Sequence, residues 1–159
     1  MNITIITVGK IKEKFYREAI GEYSKRLQRY CKLVIEEVAD EKTPDEASQG
    51  EILEIKRKEG ERILKKIPKG AYVFTLEIQG KEEGSVEFAN KMMDLSNKGN
   101  SHFVFIIGGS LGLHSNVSAM ANEKISFSKM TFPHQLMRVI LLEQVYRAFR
   151  ILNHEPYHK

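Results

Sequence analysis

The stretch "HFVFIIGGSLGLHS", His102 to Ser115, decides how the rest of the chain is read. Five apolar residues, Phe103 to Ile107, run directly into Gly108, Gly109, Ser110, Leu111 and Gly112. A short β-branched and aromatic run that ends on glycine predicts a buried strand followed by a turn. The turn has three readings. Gly108-x-Ser110-x-Gly112 matches a hydrolase's nucleophile elbow. A tight turn that needs glycine for its backbone conformation is a second. A bare loop against which a cofactor lies on peptide groups is the third.

Elements of the same kind extend to both sides. "ITIITV" (Ile3–Val8) and "KLVIEEV" (Lys32–Val38) predict strands, as do "AYVFTL" (Ala71–Leu76) and "KISFS" (Lys124–Ser128). Between them lie helical patterns. Residues 12–30 place Phe15, Ile20, Tyr23 and Leu27 on or near one side. Thr43-Pro44-Asp45-Glu46 predicts a capped helix start, with Thr43 as cap and Glu46 reaching back. The charged helix that follows contains Gly50 and Gly60, where a break is expected, and it ends by Pro68-Lys69-Gly70. "SVEFANKMMDLSNKG" predicts a helix stopped at Gly99, and the final helix runs from about His134 to Leu152. The pattern implies an α/β fold, a mainly parallel sheet of about five to six strands covered by helices on both faces, in one domain over residues 1–159. Such sheets bind ligands beyond the carboxyl ends of their strands. Three loops therefore become candidates: "LEIQGK" (Leu76–Lys81), "GGSLG" (Gly108–Gly112) and "SKMTFPH" (Ser128–His134).

Bulk properties narrow the class. The chain has 159 residues, 42% hydrophobic and 29% charged, as in ordinary globular proteins. A single cysteine, Cys31, excludes an internal disulfide, no Cys/His cluster has zinc spacing, and a cytoplasmic location is expected. The N-terminal apolar run is too short for a membrane span and lacks a preceding basic segment. A net charge of +4 leans toward a polyanionic partner, and a dimer would carry +8.

The elbow reading requires an acid and then a histidine after Ser110. Only Glu123, Glu143 and Glu155 follow, and any histidine after Glu143 lies in the short tail "NHEPYHK". The hydrolase is disfavoured on that count. The last helix supplies a different clue. Glu143, Arg147 and Arg150 form one narrow polar stripe, while apolar residues from Leu136 to Leu152 cover most of the remaining circumference. The surplus calls for burial either within the domain or against a twin subunit. Arg138 falls among those apolar residues, where a guanidinium needs a carboxylate, carbonyls or a phosphate as partner.

Taken together, "FIIGGSLGL", "SFSKMTFPHQLMRVILLEQVYRAFRI" and the terminal "PYHK" resemble the bacterial ribosomal RNA large-subunit methyltransferase H family, within the knotted SPOUT methyltransferases. The likeness extends over the whole chain. It implies a C-terminal trefoil knot, a homodimer, and S-adenosyl-L-methionine as methyl donor. It also implies methylation of N3 of a pseudouridine (position 1915) in the 23S rRNA of the assembled 70S ribosome. No metal and no membrane enter that chemistry. Carried over by position, the resemblance assigns the cofactor to Leu76, Gly108, Phe127, Ser128, Lys129, Met130, Thr131 and Phe132. It assigns the reaction to Tyr157 and His158 of the tail, with Arg138 as a second contact to phosphate or base. Where some members carry an acid in the glycine loop, this chain has Ser110-Leu111. A non-catalytic ribosome-binding or assembly factor on the same fold is the competing reading.

Overall fold

A computed structural model describes residues 1–159. Five strands, β1 (Asn2–Val8), β2 (Lys32–Val38), β3 (Tyr72–Glu82), β4 (His102–Ile107) and β5 (Glu123–Ser126), form one sheet in the order β2-β1-β4-β3-β5. Every pairing is parallel. Alternate strand residues feed two cores. Ile3, Ile5, Phe74, Phe103 and Phe105 pack against α1 (Lys14–Leu27), α3 (Ser85–Asn97) and α5 (His134–Leu152). Ile6, Val8, Val73, Val104 and Ile106 pack against α2 (Gln49–Leu64) and α4 (Ser115–Met120). The expected α/β sheet with helices on both faces is what the chain forms, and runs apolar at every position are what a doubly covered strand requires.

Several local expectations are corrected. Helix α2 starts at Ser48 rather than Thr43: the Ser48 hydroxyl accepts the Glu51 N–H at 3.1 Å, and Glu51 accepts the Ser48 N–H at 3.3 Å. Two capping boxes compete here, and the second wins because apolar residues that can be buried begin only at Ile52. Neither glycine breaks the helix. At Gly60 a Cβ would sit 3.2 Å from His114 and 3.3 Å from Val117, so the bare position lets α2 lie close against α4. Helix α4 itself was absent from the expectation; it is one short turn-and-a-half, with His114 Nδ1 accepting the Asn116 N–H at 3.2 Å.

Phe15 is 61% exposed, off the apolar side of α1. At about 100° per residue, Ile20, Tyr23 and Leu27 fall within an arc of about 60°, and Phe15 lies about 80° beyond its edge. The third strand runs to Glu82 rather than Leu76, and it is interrupted. Leu76 and Lys81 both pair with Ile125, so residues 77–80 bow out of the ladder. Gly80 is required at that point, since a Cβ there would meet the Ile125 backbone at 2.5–2.8 Å.

Helix α5 runs from His134 to Leu152, the expected span, and packs on α1 and α3. Leu141, Leu142, Val145, Ala148 and Phe149 are buried there, whereas Leu136, Val139 and Ile140 stay half-buried. No helix of the chain is long and apolar enough to cross a membrane.

Candidate functional site

The three loops predicted from the strand ends converge on one cavity of about 920 Å³ at the carboxyl ends of β3, β4 and β5. Leu76 to Gln79 form one wall, Gly108 to Leu113 a second, and residues from Ile125 to Met137 a third. This is the upper end of the size range for a small-molecule site. Of the residues assigned to the cofactor, Leu76, Gly108, Phe127, Ser128, Met130, Thr131 and Phe132 line it. Lys129 lies in the same loop but is exposed and does not line the cavity.

The glycine loop owes its shape to its own packing. A Cβ on Gly108 would meet the Gly112 carbonyl carbon at 2.9 Å and Leu113 at 3.0 Å. Gly112 has a φ of +86°, and its N–H is donated to the Gly109 carbonyl at 3.0 Å. Beneath the loop, Glu59 of α2 reaches the place where a Gly109 Cβ would project, at 3.1 Å, and accepts the Glu41 N–H at 3.0 Å. Burial, opposed by the Glu41 N–H bond and reinforced by the Asp40 charge, raises the Glu59 carboxyl above the ordinary carboxylate range.

The loop after β5 is built differently. Ser126 donates to the Ser128 carbonyl at 2.9 Å, and the Ser128 hydroxyl accepts the Met130 N–H at 2.9 Å. The peptide groups of Phe127, Lys129 and Thr131 make no hydrogen bond within the chain. Free peptide donors and acceptors beside the apolar walls of Leu76, Phe127, Met130 and Phe132 suit a flat heterocycle, whose edge needs hydrogen bonds and whose faces need apolar contact. The donor set therefore fits an adenine-bearing cofactor.

No hydrolytic triad exists here. Ser110 is exposed and makes no side-chain hydrogen bond, and seven residues separate β4 from α4, so there is no elbow. The elbow reading is excluded by that geometry.

Ionisable groups at the cavity are few: Lys56, Glu77 and His134. Glu77 accepts from the Thr75 hydroxyl at 2.6 Å and the Ser118 hydroxyl at 2.5 Å. His134 is lowered from its ordinary value by burial and then by the Arg138 charge, which keeps the imidazole neutral near pH 7. Nothing in the sequence singles out Lys56, because a Lys/Glu run such as that of α2 has the composition of a solvated face. The signal was tertiary: nothing along α2 says that one of its faces borders the glycine loop.

The residues assigned to the reaction are not on this chain's cavity. Arg138 is 3% exposed; it donates to Glu37 at 2.7 Å and to the carbonyls of Val8 and Gly9 at 3.0 and 2.8 Å. Of the partners open to it from sequence, carboxylate and carbonyls are those it meets. The tail folds back on the polar stripe of α5. Tyr157 donates to Glu143 at 3.0 Å, its ring meets Tyr146 edge-on at 5.0 Å, and Arg147 lies over it at 4.7 Å. His158 Nδ1 is 3.2 Å from Arg147, and Glu155 is held by Tyr30 and Arg150. Burial and the neighbouring Glu143 push the Tyr157 phenol up to about 12, so it stays protonated near neutral pH.

A family model described as "Predicted SPOUT methyltransferase" matches residues 1–158. The chain is similar to the ribosomal RNA large subunit methyltransferase H of Clostridium tetani (60% identical) and of Clostridium beijerinckii (61% identical), each over 159 residues and 100% of both chains. A relative from Methanococcus maripaludis is 64% identical over the same length. Among solved structures it is similar to "a probable methylase family protein" from Haemophilus influenzae Rd KW20, with a TM-score of 0.53 at 11% identity, covering 99% of this chain and 70% of that one. That last likeness is one of fold alone.

Proposed function

We propose that this chain, which belongs to the SPOUT methyltransferase family, uses S-adenosyl-L-methionine to methylate N3 of a pseudouridine in 23S rRNA of the assembled ribosome. The observation that carries the reading is the cavity itself. It lies where three strand ends meet, has apolar walls, and offers unpaired peptide groups along Phe127–Thr131. The large-subunit rRNA named in its full-length relatives supports the choice of substrate. The trefoil knot implied by the resemblance belongs to this proposal, as does a cytoplasmic homodimer buried along the half-covered Leu136, Val139 and Ile140.

The cofactor, when bound, supplies a methyl group already activated on a sulfonium. The protein's share is then mostly positioning. Leu76, Phe127, Met130 and Phe132 would hold the adenine, and peptide groups of the loop after β5 would hydrogen-bond it. The acceptor N3–H is a weakly acidic imide that has to lose its proton, so a base or an anion-stabilising donor is required. Tyr157, protonated at neutral pH, acts as a donor or stacking partner rather than a base. Of the two tail residues, that leaves His158 as the one to take the proton in this reading. Because the tail lies on α5 and away from its own chain's cavity, Tyr157 and His158 serve the cavity of a second subunit. The net charge of a dimer draws it to rRNA, and a folded ribosome adds protein and RNA surface that a small basic protein lacks on isolated RNA.

The test has two arms. Calorimetric titration with S-adenosylmethionine should give saturable binding, and tritiated methyl should pass to whole ribosomes. A chain truncated before Tyr157 should bind the cofactor as before and transfer no methyl. Full-rate transfer by the truncated chain sinks the assignment of the tail. Absence of both binding and transfer favours a ribosome-binding factor that lacks the chemistry.

A further inference from the structure

Helix α2 carries four cations, Lys56, Arg57, Lys58 and Arg62, and three of them are paired. Arg57 bridges Glu54 and Glu61, each at 2.6 Å. Lys58 and Arg62 share Glu41, at 3.7 and 3.1 Å. Lys56 alone has no carboxylate within ion-pair distance and no hydrogen-bond partner. Its natural helical partner, Glu59 at i+3, is turned inward, under Gly109 and onto the Glu41 N–H. Lys56 is half-buried and lines the cavity beside the glycine loop.

It is also the cavity's one permanent cation. His134, the other basic lining residue, is held toward its neutral form by burial and Arg138. A lysine left unpaired on a helix rich in glutamate, and lining a cavity, has a charge to give to a ligand. Glu77 borders the same cavity, with its two carboxylate oxygens held by the Thr75 and Ser118 hydroxyls. One free cation and one carboxylate among the residues of a single cavity match the two charges of an amino-acid zwitterion.

We propose that Lys56 binds the α-carboxylate of the cofactor's methionyl end, and so selects a ligand with an amino-acid tail over a bare adenosine thioether. This rests on the cofactor reading above and adds to it a specificity residue for the same cavity. Lys56 touches the ligand but not the methyl group in flight; its effect falls on cofactor affinity.

The experiment compares two probes, S-adenosylmethionine and methylthioadenosine, which lacks the carboxylate, on wild type, Lys56→Met and Lys56→Arg. Lys56→Met keeps the apolar stem and removes the charge. Thermal melting should leave all three alike, since Lys56 makes no internal bond. Loss of a charge-assisted contact predicts that Lys56→Met weakens S-adenosylmethionine by about tenfold or more while methylthioadenosine changes by less than about twofold. Lys56→Arg should recover most of the loss. Unchanged S-adenosylmethionine affinity in Lys56→Met overturns the proposal, and so does an equal loss for both probes, which would mean the side chain only shapes the cavity. Intact cofactor affinity with lost transfer to ribosomes also overturns it, by moving Lys56 to an RNA phosphate. Wild-type protein that binds neither probe removes the cofactor reading itself, an outcome separate from the others.

Discussion

Replacing Arg138 with methionine separates a structural from a catalytic role for this residue. Its guanidinium is 3% exposed and makes three charge-assisted hydrogen bonds, to Glu37, Val8 and Gly9 at 2.7–3.0 Å. Such bonds are each worth about 1.5–3 kcal/mol, but they do not simply add. Two corrections lower the sum. The Glu37 side chain is 38% exposed and regains water when its partner goes, and the buried guanidinium no longer has to be desolvated. What remains is the loss of the donor to two carbonyls at the end of β1, plus poorer packing. The expected cost is about 3 kcal/mol, at the low end for a broken buried pair. For a chain of this size that corresponds to a fall in Tm of about 6–12 °C. Thermal melts at one fixed protein concentration give the number, since self-association would otherwise shift it. Tritium transfer at a temperature where the variant is folded gives the second readout. A Tm within about 2 °C of wild type, with cofactor binding kept and transfer lost, would show that Arg138 acts on RNA and that the ion pair contributes little.

Two further outcomes follow from the same geometry. Gly80→Ala puts a Cβ 2.5 Å from the Ile125 backbone, so β3 and β5 must part. Melting should show a loss of about 1–3 kcal/mol or more, and calorimetry a weaker cofactor site, because residues 76–79 form one of its walls; wild-type behaviour would contradict the β3–β5 register. Glu59 binds its proton more tightly folded than unfolded, chiefly through burial. Its contribution therefore declines as pH rises from the ordinary carboxylate range through the raised folded value. Glu59→Gln keeps an acceptor for the Glu41 N–H and lacks that titration. In denaturant unfolding from about pH 4 to about pH 7, the variant should gain stability relative to wild type as pH rises, and a variant that loses ground to wild type over that range would reverse the sign of the argument.

How far the residues alone reached can be seen element by element. Strands β1, β2 and β4 and helix α5 were legible because their apolar patterns are dense, and glycine or proline marks an end of three of them, at Gly9, Gly108 and Pro133. Local rules failed where two signals competed nearby. Thr43 and Ser48 both head capping boxes, and only the burial of Ile55 and Ile63 against the sheet chose between them. The bow in β3 left no periodic mark, since a register shift is a property of two strands at once. The candidate cavity divides in the same way. Its loops were legible because parallel sheets place ligands at strand ends, and most of its lining was named through family likeness. Lys56 was not, because its pairing depends on where Glu59 turns, and Glu59 turns toward Gly109, fifty residues away. Arg138 was visible as a charge needing a partner, and the choice among carboxylate, carbonyl and phosphate required knowing that α5 crosses the end of β1. Periodicity and turn chemistry are local and written in the chain; the partners of charges are set by which distant segments pack together, and packing is a property of the whole fold.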